Sequence, residues 1–244
     1  MVGRLLQLSR AARFRLWAVV TAARLRRLGG RLVLEVDEVP RLLGLPTVEI
    51  DGYPGTLTLR IGREVKLGSG LVIDLAHGKD GTIDLGDRVV FQNGVRLQPW
   101  GGAIRLGVAA QIRDRCELKS AGELILGERA ICGRNVTLHC EERLELGAKV
   151  GLAERVTVID SDHGFDGSDT FFMDQPVRST PVLVGANSFV STNGVVLRGS
   201  VIGENSVVAA GAVVNGGTYP PQSILGGIPA RVLKSLADGA HAAT

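Results

Sequence analysis

Four histidines and three cysteines are the side chains of this 244-residue chain able to exchange a proton or bind a soft metal near neutral pH. His163 stands in the run Asp160-Ser161-Asp162-His163-Gly164-Phe165, an imidazole beside two carboxylates. Taken alone, that is the context of an exposed loop histidine with polar neighbours. His139 aligns with Gln98, Lys119 and Ile159 on the outward parity of a strand, His77 lies in a Gly-rich turn and His241 in the tail. Each of these three reads as solvated surface. The cysteines are odd in number and form no CxxC pair, so they suggest no disulfide framework and no zinc spacing, and a reducing compartment is the simpler reading. Cys116 and Cys132 occupy repeat positions filled elsewhere by Val, Ile, Phe or Leu and read as core substitutes. Cys140 follows a strand beside His139, and sequence neighbours there need not face one another, which argues against a Cys-His nucleophile.

The elements that must position these residues are short strands. Aromatics make up 4% of the chain while Gly reaches 33 of 244, about twice the usual share of ~7%, so the core is aliphatic and the chain turns often. So many glycines, each costing ~1 kcal/mol inside a helix, exclude a helical bundle, and the abundant Val, Leu and Ile exclude disorder. Beyond residue 55 the chain repeats: Ile61-Gly62, Leu85-Gly86, Leu106-Gly107, Leu126-Gly127 and Leu146-Gly147 recur at steps of 24, 21, 20 and 20. A period of that size means a solenoid. Apolar residues alternate before each glycine (Ile83/Leu85, Leu124/Leu126) and again about ten residues later (Val95/Leu97, Val136/Leu138). Phe91, Ile112, Cys132 and Leu152 supply a third inward-facing strand, and three short strands per coil make a triangular prism. Between Gly147 and Gly185 the spacing is 38, so a loop leaves the solenoid over residues 159–180; it carries Phe165, Phe171 and Phe172, half the phenylalanines. Loops of that length are usually either functional or disordered, and these aromatics suggest packing against a neighbouring subunit.

After the loop the pattern resumes at a step of 18, from Val184-Gly185 to Ile202-Gly203. The stretch PVLVGANSFVSTNGVVLRGSVIGENSVVAAGAVV (181–214), with Pro220-Pro221 and GGIPARVLKSL (226–236), resembles hexapeptide-repeat acyltransferases of the galactoside, maltose and nodulation-factor O-acetyltransferase type. The resemblance is specific over about 155–236. It implies a mainly β fold, a left-handed parallel β-helix, assembled as a homotrimer, that moves acetyl from acetyl-coenzyme A to a hydroxyl of a sugar or glycan without a metal. It implies that His163 is the catalytic base, since a hydroxyl is barely nucleophilic until its proton is taken, with Asp160 or Asp162 orienting the ring. Phe189 stands where the family usually has Trp. Ser191 and Thr192 match the small residues one of whose backbone N–H groups holds the thioester oxyanion. Ala209, Ala210 and Gly211 match the segment along which the pantetheine arm lies, and Arg231 and Lys234 match basic residues suited to the coenzyme's phosphates. Asn215-Gly216 replaces a frequent Thr-Lys pair, which removes one expected cation. A zinc carbonic anhydrase of the same repeat class would need an HxxxxH pair, and there is none. N-acetylation of an amino sugar and a non-catalytic binding scaffold are the alternatives.

Charge is uneven. The first 34 residues hold eight arginines and no acid; against a total of +3, the remainder carries −5 and is no nucleic-acid platform. The longest uncharged apolar stretch there, Leu16 to Ala23, is far shorter than the ~20 residues of a span. Leu5, Ala12, Leu16, Val19 and Ala23 fall on one helix face flanked by arginines, while Phe14, Trp17, Leu25 and Leu28 form a second patch. Two readings follow, a helix that caps the solenoid and one that rests on an anionic membrane surface at its cytoplasmic side. The expected layout is a basic helix and lead-in over 1–55, the β-helix over 56–225 and a short C-terminal helix and tail over 226–244.

Overall fold

The computed structural model describes residues 9–237, so Leu5, His241 and the rest of the two termini lie outside the described residues. Among the described residues one helix, Arg10–Arg27, precedes a parallel β-solenoid of about nine turns. The sequence period predicts the stacking register directly. Ile61, Leu85, Leu106, Leu126, Leu146, Val184 and Ile202 pair coil to coil in one column. Leu97, Leu118, Leu138, Val158 and Val196 form a second, and Phe91, Ile112, Cys132, Leu152, Val190 and Val208 a third. All three columns are buried and meet in one core. Two of the prism's faces merge into a 15-stranded sheet and the third is a separate 10-stranded sheet.

The recurring glycine after each first-column residue answers to space rather than to backbone angle. A Cβ on Gly127 would stand 2.5 Å from the Ala148 nitrogen, and one on Gly185 would stand 2.4 Å from that of Glu204. The next coil's backbone crosses there too closely for any side chain.

Three expectations change. The solenoid begins before residue 56: Arg31–Val36, Arg41–Leu42 and Thr47–Ile50 pair in parallel with the strands of the following coil and form its first turn. The segment 226–236 is not a helix. Ala230–Ser235 is a strand antiparallel to Ser223–Gly227, because the last coil would otherwise leave a row of unpaired backbone groups at its edge, and pairing them outweighs a modest helix propensity. At the other end, the helix face that packs is that of Phe14, Trp17 and Leu25 from the second patch, with Leu28 left exposed. Phe14, Trp17, Thr21 and Leu25 are buried against the first coils, with Phe14 and Trp17 stacked at 5.4 Å. The Trp17 indole N–H donates to the Pro46 carbonyl (2.7 Å), and Arg24 donates to that of Val48 (2.9 Å). Left open, the solenoid end would expose Leu59, Ile61, Leu67 and Ile73, and two large aromatics cover more of that apolar surface than Ala12, Leu16, Val19 and Ala23 of the other face could. Leu16, Val19 and Val20 stay exposed beside Arg15, Arg26 and Arg27. Among the described residues no helix is long and apolar enough to cross a membrane.

Candidate active site

The excursion starts at Asp160 and is a β-hairpin: Ser161–His163 runs antiparallel to Val177–Ser179, pairing His163 with Val177 and Asp162 with Arg178. Its far end closes over a 3-10 turn, Phe172–Asp174. Buried Gln175 holds that end together, accepting from the Asp166 N–H (2.9 Å) and donating to the Thr170 carbonyl (3.1 Å). The hairpin is also tied to the body, since the Gly199 N–H donates to the Thr180 carbonyl (3.1 Å) and the Ser179 hydroxyl to Glu142 (2.9 Å).

His163 is exposed and its ring meets the Phe172 ring edge to face at 5.4 Å. Among the described residues neither imidazole nitrogen has a hydrogen-bond partner, so both are open to a substrate. Neither aspartate orients it. Asp160 is fully buried and turned away: its carboxylate accepts from the backbone N–H groups of Glu141 (2.7 Å), Glu142 (2.8 Å) and Arg143 (2.9 Å). It therefore clamps the neighbouring coil's corner to the base of the hairpin. Asp162 pairs with the Arg198 guanidinium. A triad-like assignment from sequence proximity thus gives way to two structural carboxylates, because a buried anion is stabilised best by several converging N–H donors.

Beside His163 opens a pocket of about 470 Å³, within the range of small-ligand sites. It is lined by Lys119, His139 and Ile159, neighbours in one row of the sheet, by Glu141, and by Met173 and Val177 of the hairpin. His139 is the residue that sequence reasoning misplaced. It is half-buried rather than solvated surface, and burial, together with the neighbouring Lys119 ammonium, lowers its pKa below the ordinary imidazole value against the pull of Asp160 and Glu141. The signal was available in the alignment: His139 pairs with Ile159, the last residue before the excursion, so it sits directly under the hairpin's base.

The cysteines are free and buried. Burial pushes the Cys116 thiol up to about 11 and that of Cys140 up to about 12, so neither is a nucleophile at neutral pH. His77 packs its ring against Tyr53, far along the solenoid in sequence. Among the described residues no cluster of His, Cys, Asp and Glu could hold a metal ion.

The residues matched to a donor site lie in successive coils. Phe189, Val207, Ile224 and Lys234 pair in one row across four strands. Phe189 is exposed and its ring covers Gly151. The Ser191 N–H is spent on the Val208 carbonyl (2.9 Å), whereas the Thr192 N–H has no partner among the described residues. One coil on, the Ala209 N–H is bonded to Leu225 (2.8 Å) and the Ala210 N–H has no partner among them. Gly211 adopts φ +68°, and a Cβ there would meet nothing. Asn193 and Arg155 take the same left-handed angle at the corresponding corners. Glycine is thus not required by the fold at 211, and its effect is to leave the backbone bare. Arg231 and Lys234 are exposed on the last strand rather than in a helix, so the dipole of a helix C-terminus has no part in their placement.

Thr192 lies in the turn before Val195–Ile202, the strand that carries Arg198, the partner of Asp162 next to His163.

No family model matches the chain. Probable acetyltransferase Rv3034c of Mycobacterium tuberculosis is 30% identical over 142 residues, 58% of this chain and 47% of that protein. The chain thus spans about half the length of the curated relative it matches. In structure it is similar to a mutant of AntD, an N-acyltransferase from Bacillus cereus bound to dTDP-4-amino-4,6-dideoxyglucose and coenzyme A, with a TM-score of 0.54 and 19% identity over 63% of this chain and 82% of that one. The hexapeptide-repeat-containing acetyltransferase VCA0836 of Vibrio cholerae aligns with a TM-score of 0.48 and 24% identity, covering 63% of this chain and 73% of that one. At the level of the fold, the resemblance read from the repeats holds.

Proposed function

We propose that the protein is an acetyltransferase of the hexapeptide-repeat class, moving acetyl from acetyl-coenzyme A to a sugar or glycan hydroxyl. The observation that carries this reading is His163, an imidazole with both nitrogens open at the mouth of a ligand-sized pocket. Its ring takes the proton of the acceptor O–H as the oxygen attacks the thioester carbon. The developing oxyanion accepts from the Thr192 N–H, a contribution of ~3–4 kcal/mol at the transition state. The C–S bond then breaks, and the imidazolium returns its proton to the departing thiolate. Pantetheine runs along the bare backbone of Ala209, Ala210 and Gly211 over Phe189 and Ser191, and Arg231 and Lys234 meet the phosphates. The bound dTDP-amino sugar and coenzyme A of AntD keep an amine acceptor as the second reading.

We further propose a homotrimer, as the resemblance to hexapeptide-repeat acyltransferases implies, in which one protomer's base faces its partner's donor site. Phe165 (75% exposed), Phe171 and Met173 on the hairpin are apolar surface for that contact. The helix Arg10–Arg27 serves both roles read from its sequence, one face closing the solenoid and the other, Leu16, Val19 and Val20 among arginines, resting on an anionic membrane at its cytoplasmic side.

The test is thiol release from acetyl-coenzyme A against a panel of neutral and amino sugars. His163→Ala is expected to keep its circular dichroism and lose ~10²-fold or more in turnover. A folded variant with undiminished turnover sinks the mechanism, and absence of thiol release from the native protein with every sugar sinks the enzyme reading.

A further inference from the structure

We infer that His139 is an acceptor-binding residue, the second imidazole of the pocket, which hydrogen-bonds a hydroxyl of the sugar while His163 takes the proton of another. The inference rests on the transferase reading above and specifies which chain atoms hold the acceptor.

Three observations carry it. The first is position: His139 and His163 line the same pocket of about 470 Å³, although 24 residues and a coil corner separate them in sequence. The second is rigidity. The Asp160 N–H donates to the His139 carbonyl (3.2 Å), and the Asp160 carboxylate holds the three N–H groups just past Cys140 in the same chain segment, those of Glu141, Glu142 and Arg143. One buried side chain therefore fixes the strand end that presents His139 to the start of the hairpin that presents His163. A site that must hold a hydroxyl within hydrogen-bond reach of a base needs this kind of support. The third is chemistry. His139 pairs across the sheet with Lys119 on one side and Ile159 on the other, both lining the pocket. Among the described residues its ring has no hydrogen-bond partner. A half-buried imidazole without a protein partner is left to a ligand. Burial, and after it the cation of Lys119 beside it, favours the neutral ring, which both donates and accepts, the pattern that suits a sugar hydroxyl. Asp160, Glu141 and His163 are the other charged or titratable groups acting on the ring.

The experiment measures steady-state thiol release by the full chain, with maltose, a galactoside and glucosamine as acceptor probes, for the native protein, His139→Ala and His139→Gln. The expected result is a rise of about tenfold in acceptor KM for His139→Ala, the loss of one well-placed hydrogen bond. The KM for acetyl-coenzyme A should stay within twofold, and His139→Gln should recover part of the loss because its amide also donates and accepts. A merely structural role would move both KM values and would not be rescued by Gln. Unchanged acceptor KM in a folded His139→Ala protein overturns this inference while leaving the transferase reading intact. Absence of thiol release from the native protein with all three probes overturns both. Should His139→Ala fail to fold, an acceptor KM unchanged in His139→Gln, together with unchanged shifts of the native His139 ring protons on adding the probes, overturns it.

Discussion

Replacing Asp160 by Asn separates a clamp from a catalytic acid. The carboxylate is fully buried; Oδ1 accepts from Glu141, and Oδ2 from both Glu142 and Arg143. An asparagine oriented with its oxygen at the Oδ2 position keeps two of these bonds without their charge assistance, a loss of ~1 kcal/mol each. Its NH2 then faces the Glu141 N–H, donor against donor, which removes the third bond and leaves a buried donor unpaired at ~1–3 kcal/mol. The total is about 3–5 kcal/mol, equivalent to a melting temperature lower by about 6–20 °C for a chain of this size. Differential scanning fluorimetry and amide hydrogen exchange measure it: the Glu141–Arg143 amides should lose protection first. Turnover at a temperature where the variant is folded should fall far less than the ~10⁴ expected when an acid that orients a catalytic histidine is neutralised. Wild-type melting and protection combined with a collapse of that size would refute the clamp and restore Asp160 as His163's partner.

Gly127→Ala should destabilise the solenoid by ~3 kcal/mol or more, because its Cβ would stand 2.5 Å from the Ala148 nitrogen and 2.6 Å from the Gly147 carbonyl carbon; denaturant melting unchanged from wild type would contradict this packing. By contrast Gly211→Ala, whose Cβ meets nothing, should be milder in stability and should raise the KM for acetyl-coenzyme A if the bare backbone is what the donor uses. The three buried thiols should resist iodoacetamide at pH 8 in the native protein and react only after unfolding, since burial raises each of them above that pH; stoichiometric native labelling would disprove their core placement. Exchanging Arg15, Arg26 and Arg27 for Glu should abolish salt-sensitive pelleting with phosphatidylserine vesicles while the helix stays docked through Phe14 and Trp17, and pelleting that survives the exchange would end the membrane reading.

The sequence by itself determined the solenoid, its register and the position of its excursion. Ile61, Leu85, Leu106 and Leu126 could be stacked on paper because each buried side chain has the same neighbour one coil above and below, so spacing alone encodes contact. The hairpin is legible for the same reason, at the place where the spacing nearly doubles, from 20 to 38. Outward-facing residues carry no such constraint. The coil alignment sets His139 opposite Ile159 at the hairpin's base, but the course of the hairpin that brings His163 to the same pocket is a single event with no period to read. Asp160 and Asp162 look alike beside His163, and only their surroundings divide them: one side chain points at three backbone donors, the other at Arg198. The two ends of the solenoid were likewise decided by tertiary structure. There a chain segment must cover an open core or complete an unpaired edge, so Phe14 and Trp17 turned inward against the amphipathic stripe, and residues 230–235 became a strand. Periodic burial is a local signal repeated many times; a site, a cap or an edge is a single long-range contact, and one occurrence leaves no period to read.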